Sequence, residues 1–155
     1  MKGTRARGFT LVELLVVIVI IAILFSLLLP AIASAICSGK QGRMKAMLSQ
    51  LTDSAKAYDI DHGTYPPSNP GFDSSMLVKA LTMKTGRHNP YFDFKEGDLS
   101  SQQQIMNMVF PDEFVSYRNN QQLKDKTAKG IHNKSSIDLW CKGCNKVEDA
   151  INNWE

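Results

Sequence analysis

The sequence is poor in the residues that most often carry enzyme chemistry, with three histidines and three cysteines among 155 residues. The histidines, His62, His88 and His132, lie far apart in polar, turn-like surroundings. None of the G-x-S-x-G, H-E-x-x-H, G-x-G-x-x-G or P-loop patterns occurs in the chain. We therefore expect no catalytic site, and a protein that is not an enzyme.

Charged side chains are absent from a stretch of 26 residues, Leu14 to Gly39. At a rise of about 1.5 Å per residue, roughly 20 helical residues cross the ~30 Å hydrocarbon core of a membrane. Lys2, Arg5 and Arg7 precede the stretch, and the rest of the chain holds 15 basic and 15 acidic side chains. The pattern predicts one membrane helix with a cytoplasmic N-terminus and a head outside the cytoplasm, with no charge bias toward nucleic acid.

Cysteine is too scarce for a complete zinc site. Cys141 and Cys144 form a single C-x-x-C pair, whereas structural zinc takes four ligands and Cys37 belongs to the membrane helix. A thioredoxin-like redox pair needs a βαβ setting that the sequence does not indicate. For a head outside the cytoplasm we favour a local disulfide between Cys141 and Cys144, with free thiols or a metal or redox pair as the alternatives.

A carboxylate, Glu13, stands near the start of the apolar run, where a charge is costly in lipid. A plain membrane anchor, or a signal peptide cut after Ala35 so that the chain begins at Ile36, would account for the apolar run but not for this charge. The hexapeptide GFTLVE, from Gly8 to Glu13, closely resembles the processing site of type IV pilin-like proteins.

That resemblance implies a defined chemistry at the N-terminus. Prepilin peptidase would cut after Gly8 and methylate the new N-terminal residue, Phe9. Glu13 would then neutralise the Phe9 ammonium of another identical subunit, because a pair of opposite charges tolerates a low dielectric better than either ion alone. Pro30 matches a proline that many members of the family have. It is interpreted either as a functional hinge or as an ordinary kink.

Beyond the membrane segment, one apolar stripe follows a helical period. Its members are Met44, Met47, Leu48, Leu51, Ala55 and Tyr58. The stripe predicts that the helix continues as an amphipathic half packed on a globular domain. It should end near residues 61–67, where Gly63 suits a C-terminal cap and two prolines prevent continuation.

The remaining patterns predict a small head. Residues 75–82 are expected to form a short helix, and residues 89–94, 114–118 and 136–140 alternate like strands. The predicted fold class is α+β: a long N-terminal membrane-spanning helix packed on a small antiparallel β-sheet head. The predicted organisation is a cleaved leader (1–8), a transmembrane assembly half (9–38), an amphipathic half (39–62) and a globular periplasmic head (63–155).

The helix exit (57–67) and the ending (137–154), with its final Asn-Asn-Trp, resemble those of the major pseudopilins of type II secretion systems. In that subfamily the turn and loop near the C-terminus bind a structural calcium ion. By position the candidate ligands are Asn145, Glu148 and Asp149, a short set for an ion that takes six to eight oxygens. A plain acidic surface turn is the alternative.

The resemblance implies a structural subunit of a periplasmic pseudopilus, anchored once in the inner membrane. Its implied partners are prepilin peptidase, identical subunits, other pseudopilins and the inner-membrane assembly platform of the secretion system. A type IV pilus subunit serving adhesion, motility or DNA uptake is the main alternative. A secreted soluble protein, released by cutting after Ala35, is the lesser one.

Overall fold

The computed structural model describes residues 9–84, 89–123, 130–144 and 150–154. The elements are α1 (Leu11–His62), α2 (Ser75–Thr82), β1 (Ser116–Asn119), a 3-10 turn (Asn120–Gln122), β2 (Ile137–Lys142) and β3 (Ala150–Asn152). A long apolar N-terminal helix and a small antiparallel sheet confirm the predicted α+β class. The chain divides into two compact units between Ile36 and Cys37.

The N-terminal unit consists of the apolar part of α1. The large apolar side chains of this part of the helix, from Leu11 to Ile36, are all exposed. Among the described residues, α1 is the one helix long and apolar enough to cross a membrane. Pro30 lies inside this helix, which continues through it although proline supplies no backbone N–H. Neither a hinge nor a kink at Pro30 is tested by this, and both stay predictions.

The head is built on the second part of α1. The predicted stripe is confirmed, because its first five members are buried and Tyr58 is partly buried in the same core. The same core contains side chains from α2, from the sheet and from the residue before β1: Leu77, Val78, Leu81, Val115, Tyr117, Ile137, Leu139 and Ile151. Fully burying one large apolar side chain contributes about 1.5–3 kcal/mol, so this cluster is the main source of the head's stability.

The sheet has the order β1-β2-β3, and both pairings are antiparallel. In its register Tyr117 lies opposite Leu139, and Cys141 lies opposite Ile151. All four of these side chains are buried. Because successive strand residues point to opposite faces, this register directs one face of the sheet into the core against α1.

Of the three predicted strands, 114–118 and 136–140 are confirmed as β1 and β2 with small shifts in their bounds, and 89–94 is wrong. Residues 89–94 are not a strand: the N–H groups of Tyr91 and Phe92 donate to Leu81 O at the end of α2 (2.9 and 3.3 Å). The rings of Phe92 and Phe94 pack 4.6 Å apart, so the aromatic alternation there reflects loop packing. The sheet strands lie one to two residues later than predicted, and β3 is additional. The short helix at 75–82 is confirmed.

Candidate processing and assembly site

The N-terminus of α1 is capped by Thr10 and Glu13, and the side chain of each accepts a hydrogen bond from the backbone of the other. The backbone N–H and Oγ1 of Thr10 both donate to Glu13 Oε2, at 2.9 and 2.8 Å. In return, the Glu13 N–H donates to Thr10 Oγ1 at 3.3 Å. This is a capping box, which satisfies N–H groups that have no partner within the helix. The T-x-x-E spacing before an apolar run is its sequence signal, although the capping box is not among the features predicted above.

The capping box changes the interpretation of Glu13, because the carboxylate is already bonded within its own chain. All three of these bonds use Oε2 or the Glu13 N–H, and Oε1 accepts no hydrogen bond from the described residues. Phe9 precedes α1, and its side chain is 76% exposed. Gly8 lies outside the described residues. The predicted pairing of Glu13 with Phe9 of a second subunit is not tested in a single chain and stays a prediction.

The cysteine pairing differs from the prediction. A disulfide joins Cys37 in α1 to Cys144 after β2, with 6.1 Å between the two Cα atoms. Cys141 is a free thiol, 3% exposed, and its burial, aided by the nearby Glu113 carboxylate, raises its pKa to about 12. The predicted Cys141–Cys144 disulfide is therefore wrong. The physical reason is that β2 turns Cys141 into the core opposite Ile151, so its thiol is not available to Cys144.

The candidate calcium ligands Asn145, Glu148 and Asp149 lie outside the described residues. Within the part of the chain that the structure describes, no group of three or more His, Cys, Asp or Glu side chains could hold a metal ion. The described residues that flank these candidate ligands belong to defined structure: Cys144 is in the disulfide, and Ala150 begins β3. The calcium prediction therefore stays untested.

The helix exit is held by the sheet. Gly63 has a φ of 73°, as expected for a left-handed C-terminal cap, and its N–H donates to Asp59 O at 2.7 Å. Tyr117 Oη donates to Pro66 O at 2.6 Å. Asn119 Nδ2 donates to the carbonyl oxygens of Tyr65 and Pro66, at 3.0 Å each. The Tyr-Pro exit therefore supplies backbone acceptors for buried polar side chains of β1.

The Asn-Asn-Trp ending joins the sheet to the long helix. The N–H of Asn153 donates to Leu139 O at 3.2 Å, and its Oδ1 accepts from the Leu139 N–H at 3.0 Å. Its Nδ2 donates to Ile137 O and to Thr52 Oγ1 of α1, at 3.2 and 3.3 Å. Trp154 then stacks on His132, with ring centroids 4.0 Å apart. The ending is thus a structural joint between β2 and α1.

A buried ion pair, Arg118 and Asp138, fastens β1 to β2. Arg118 Nη2 lies 2.6 Å from Asp138 Oδ2, and the N–H groups of Asn133 and His132 also donate to the carboxylate, at 2.9 and 3.2 Å. Burial by itself raises the pKa of Asp138, but the hydrogen bonds from Arg118, Asn120 and these two N–H groups outweigh it and hold the pKa below its usual value. This pair is not among the residues predicted from the sequence.

The guanidinium of Arg118 also lies between two aromatic rings. It is 5.5 Å from the ring centroid of Phe72 and 5.5 Å from that of Trp140. Cations at this distance from an aromatic face are attracted by the ring quadrupole. The arrangement holds the Arg118 side chain against both rings.

Comparison with known proteins identifies the N-terminal segment. The family described as the prokaryotic N-terminal methylation motif matches residues 3–29, which include the capping box and the preceding Gly8 and Phe9. This segment of the chain is therefore similar to the N-terminal methylation motif of prokaryotic proteins. The chain spans about half the length of the curated relatives that it matches. No solved structure matches it.

Several relatives belong to one type. The type II secretion system core protein G of Escherichia coli is 38% identical over 86 residues, which cover 54% of this chain and 57% of the relative. Its counterpart in Aeromonas hydrophila is 34% identical over 74 residues, 48% and 52% of the two chains. The type IV wide pilus major component PilA4 of Thermus thermophilus is 40% identical over 61 residues, 39% and 47% of the two chains.

Proposed function

We propose that the chain is a structural subunit of the periplasmic pseudopilus of a type II secretion system, without a catalytic role. The observation that carries this proposal is the methylation motif at residues 3–29 in a chain that is similar to core protein G over 54% of its length. The exposed apolar surface of α1 supports it, because such a surface needs a membrane or neighbouring helices to cover it.

Processing by prepilin peptidase is the first step of this proposal. The enzyme cuts after Gly8 and methylates Phe9, which leaves a positive charge at the new N-terminus. Phe9 and Thr10 lie before the first residue of α1, and the Phe9 side chain is exposed. Both features suit a cleavage site that has to reach the active site of a peptidase. The subunit then resides in the inner membrane with its head in the periplasm.

Assembly is the second step, and Glu13 is its central residue. Oε2 is held by Thr10, so Oε1 is oriented at the helix start and open to a cation. In the proposed filament it accepts the Phe9 ammonium of an identical subunit, which neutralises two charges that are costly in lipid. Other pseudopilins and the inner-membrane assembly platform are the further partners. The Cys37–Cys144 disulfide supports a head outside the cytoplasm, because disulfides form and persist in oxidising compartments.

A structural calcium ion is a further part of the proposal. Glu148, Asp149 and the Asn145 side chain offer oxygen donors of the kind that calcium prefers, and backbone carbonyls would complete its six to eight ligands. If calcium binds there, adding it to a chelated sample will raise the melting temperature of the head. Glu148→Gln with Asp149→Asn will abolish that increase. An unchanged melting temperature would contradict the calcium site.

The function is tested by deleting the gene in its native host and restoring it on a plasmid. We expect deletion to retain exported proteins in the periplasm, and the wild-type chain to restore their release. Glu13→Gln is the discriminating variant, since glutamine preserves the capping box but removes the charge. It should be processed normally and fail to assemble. Normal assembly of this variant would overturn the role of Glu13.

A type IV pilus subunit is the second candidate, and the similarity to PilA4 favours it. In that case deletion abolishes long surface fibres and leaves secretion intact. Electron microscopy of the cell surface, carried out beside the secretion assay, distinguishes the two functions in one strain. The soluble alternative, cut after Ala35, predicts release of a chain that begins at Ile36, and the strain restored with the wild-type gene tests it.

A further inference from the structure

The disulfide and the apolar core of the head hold α1 at different points. Met44 is the first fully buried residue of α1, and buried residues continue from it toward the C-terminal end of the helix, whereas Cys37 is only partly buried against the core. The disulfide holds the helix seven residues earlier, at Cys37. At 1.5 Å per residue this is about 10 Å, or two helical turns. In the intervening segment, 38–43, Gln41 is partly buried and the other five residues are exposed.

This intervening segment is also a poor helix former. It contains Gly39 and Gly42, and glycine is among the least favourable residues in a helix interior. A Cβ built at either position would meet no atom within 4 Å, so neither glycine is required by a close contact. With few tertiary contacts and two glycines, residues 38–43 should open more readily than the buried part of the helix that follows.

We propose that the Cys37–Cys144 disulfide is a clasp that keeps residues 38–43 helical. With the disulfide in place, the part of α1 that is firmly attached to the head begins at Cys37; without it, that part begins at Met44. The cross-link attaches one end of the weak segment to the turn after β2, and core packing attaches the other end. Opening the segment then requires it to unwind between two fixed ends. This inference does not rest on the proposed function of the filament.

The chemistry of the clasp requires a protein oxidant that carries a reactive disulfide. The thiols of Cys37 and Cys144 give up two protons and two electrons through a mixed disulfide, and the disulfide of the oxidant is reduced to a dithiol. Cys141 is the competing thiol, and its burial in the core keeps it out of this exchange. Because the two partners are 107 residues apart, the head must fold enough to bring them together before the bond forms.

The clasp is tested by amide hydrogen exchange and mass spectrometry on the full chain in detergent micelles. The test variant is Cys144→Ser, which removes the disulfide and leaves the sequence of α1 unchanged. Cys141→Ala is the matched control, because it removes a thiol of the same strand region and retains the disulfide. Peptides covering residues 38–43 report on the clasp. Peptides covering residues 48–55 report on the packed part of the same helix.

We expect Cys144→Ser to accelerate exchange in residues 38–43 at least about tenfold and to change residues 48–55 far less. Reducing the wild-type protein should have the same effect, and Cys141→Ala should have none on residues 38–43. Adding Gly39→Ala and Gly42→Ala to Cys144→Ser should restore much of the lost protection, since alanine fits and favours the helix.

Three outcomes would overturn the proposal. Unchanged exchange in residues 38–43 would mean that the disulfide does not stabilise the segment. Equal loss of protection throughout the head would mean that the bond is needed for the whole fold and is not a local clasp. A non-reduced peptide map of the wild-type chain that links Cys141 to Cys144 would remove the clasp itself.

Discussion

The two units of the chain are stabilised in opposite ways. In the head, the large side chains of α1 are buried against α2 and the sheet, so its stability comes from its own packing. From Leu11 to Ile36 the same helix exposes every large apolar side chain, and its stability depends on what surrounds it. A continuous helix can therefore serve two purposes. One half completes a domain, and the other half is left for a membrane or for neighbouring subunits.

The largest effect should come from breaking the buried ion pair of the head. Arg118→Met removes the partner of Asp138 and leaves a buried carboxylate uncompensated, at a cost of about 3–5 kcal/mol. Thermal unfolding of the purified chain, followed by near-ultraviolet circular dichroism, measures this. Lys56→Met is the control, because its pair with Asp53 is exposed and should contribute almost nothing. Equal losses in the two variants would contradict the importance of the buried pair.

The same ion pair predicts a pH dependence. Since the pKa of Asp138 is lower in the folded state than its usual value of 3.8, its contribution to stability is fully present above that value. It is lost as the pH falls from about 4 through the folded-state pKa. Stability measured from pH 7 to pH 2 should therefore fall less for Arg118→Met than for the wild-type chain. A parallel fall in both would contradict the assignment.

The next effect compares one leucine from each unit. Leu48→Ala empties a fully buried site and should cost about 2–5 kcal/mol. Leu28→Ala, at a side chain that is 52% exposed, should change the unfolding of the head by less than about 0.5 kcal/mol. The same thermal measurement in micelles tests both. A large loss in Leu28→Ala would contradict the division between the two units.

A smaller effect is expected at the helix exit. Tyr117→Phe removes the hydroxyl that donates to Pro66 O and leaves a buried carbonyl with one donor fewer, at a cost of about 1 kcal/mol. Tyr91→Phe is the matched control, since its hydroxyl bonds to Asp61 on the surface. The Tyr117 variant should melt at the lower temperature. The reverse order would contradict the role assigned to the exit.

The smallest effect is local to the start of α1. Thr10→Val removes the hydroxyl of the capping box, and amides of the first helical turn should exchange about fivefold faster. Thr10→Ser retains the hydroxyl and should exchange like the wild-type chain. Hydrogen exchange in micelles measures both variants. Equal rates in Val and Ser variants would mean that the capping box does not stabilise the helix.

Much of the helical structure could be predicted because its signals are local. The stripe from Met44 to Tyr58 repeats at the helical period, and Gly63 marks the end of α1. The N-terminal processing motif is equally local, since its residues are adjacent in sequence. The capping box of Thr10 and Glu13 also has a local signal, the T-x-x-E spacing, and was therefore predictable in the same way.

What could not be predicted depends on residues that meet only after folding. Cys37 and Cys144 are 107 positions apart, and their pairing follows from how the head packs on α1. The ion pair of Arg118 and Asp138 depends on the register between β1 and β2. β3 has three residues, too few for an alternating pattern. It is a strand because its backbone pairs with β2, which it meets only on folding.

The proposed function depends on one claim, that the chain is processed as a prepilin so that Glu13 can serve assembly. The most direct test is the mass of the mature N-terminal peptide, isolated from membranes of the native host. We predict a peptide that begins at Phe9 and carries one added methyl group. A chain that begins at Ile36 would contradict the claim, because both Glu13 and the apolar half of α1 would then be absent from the mature protein.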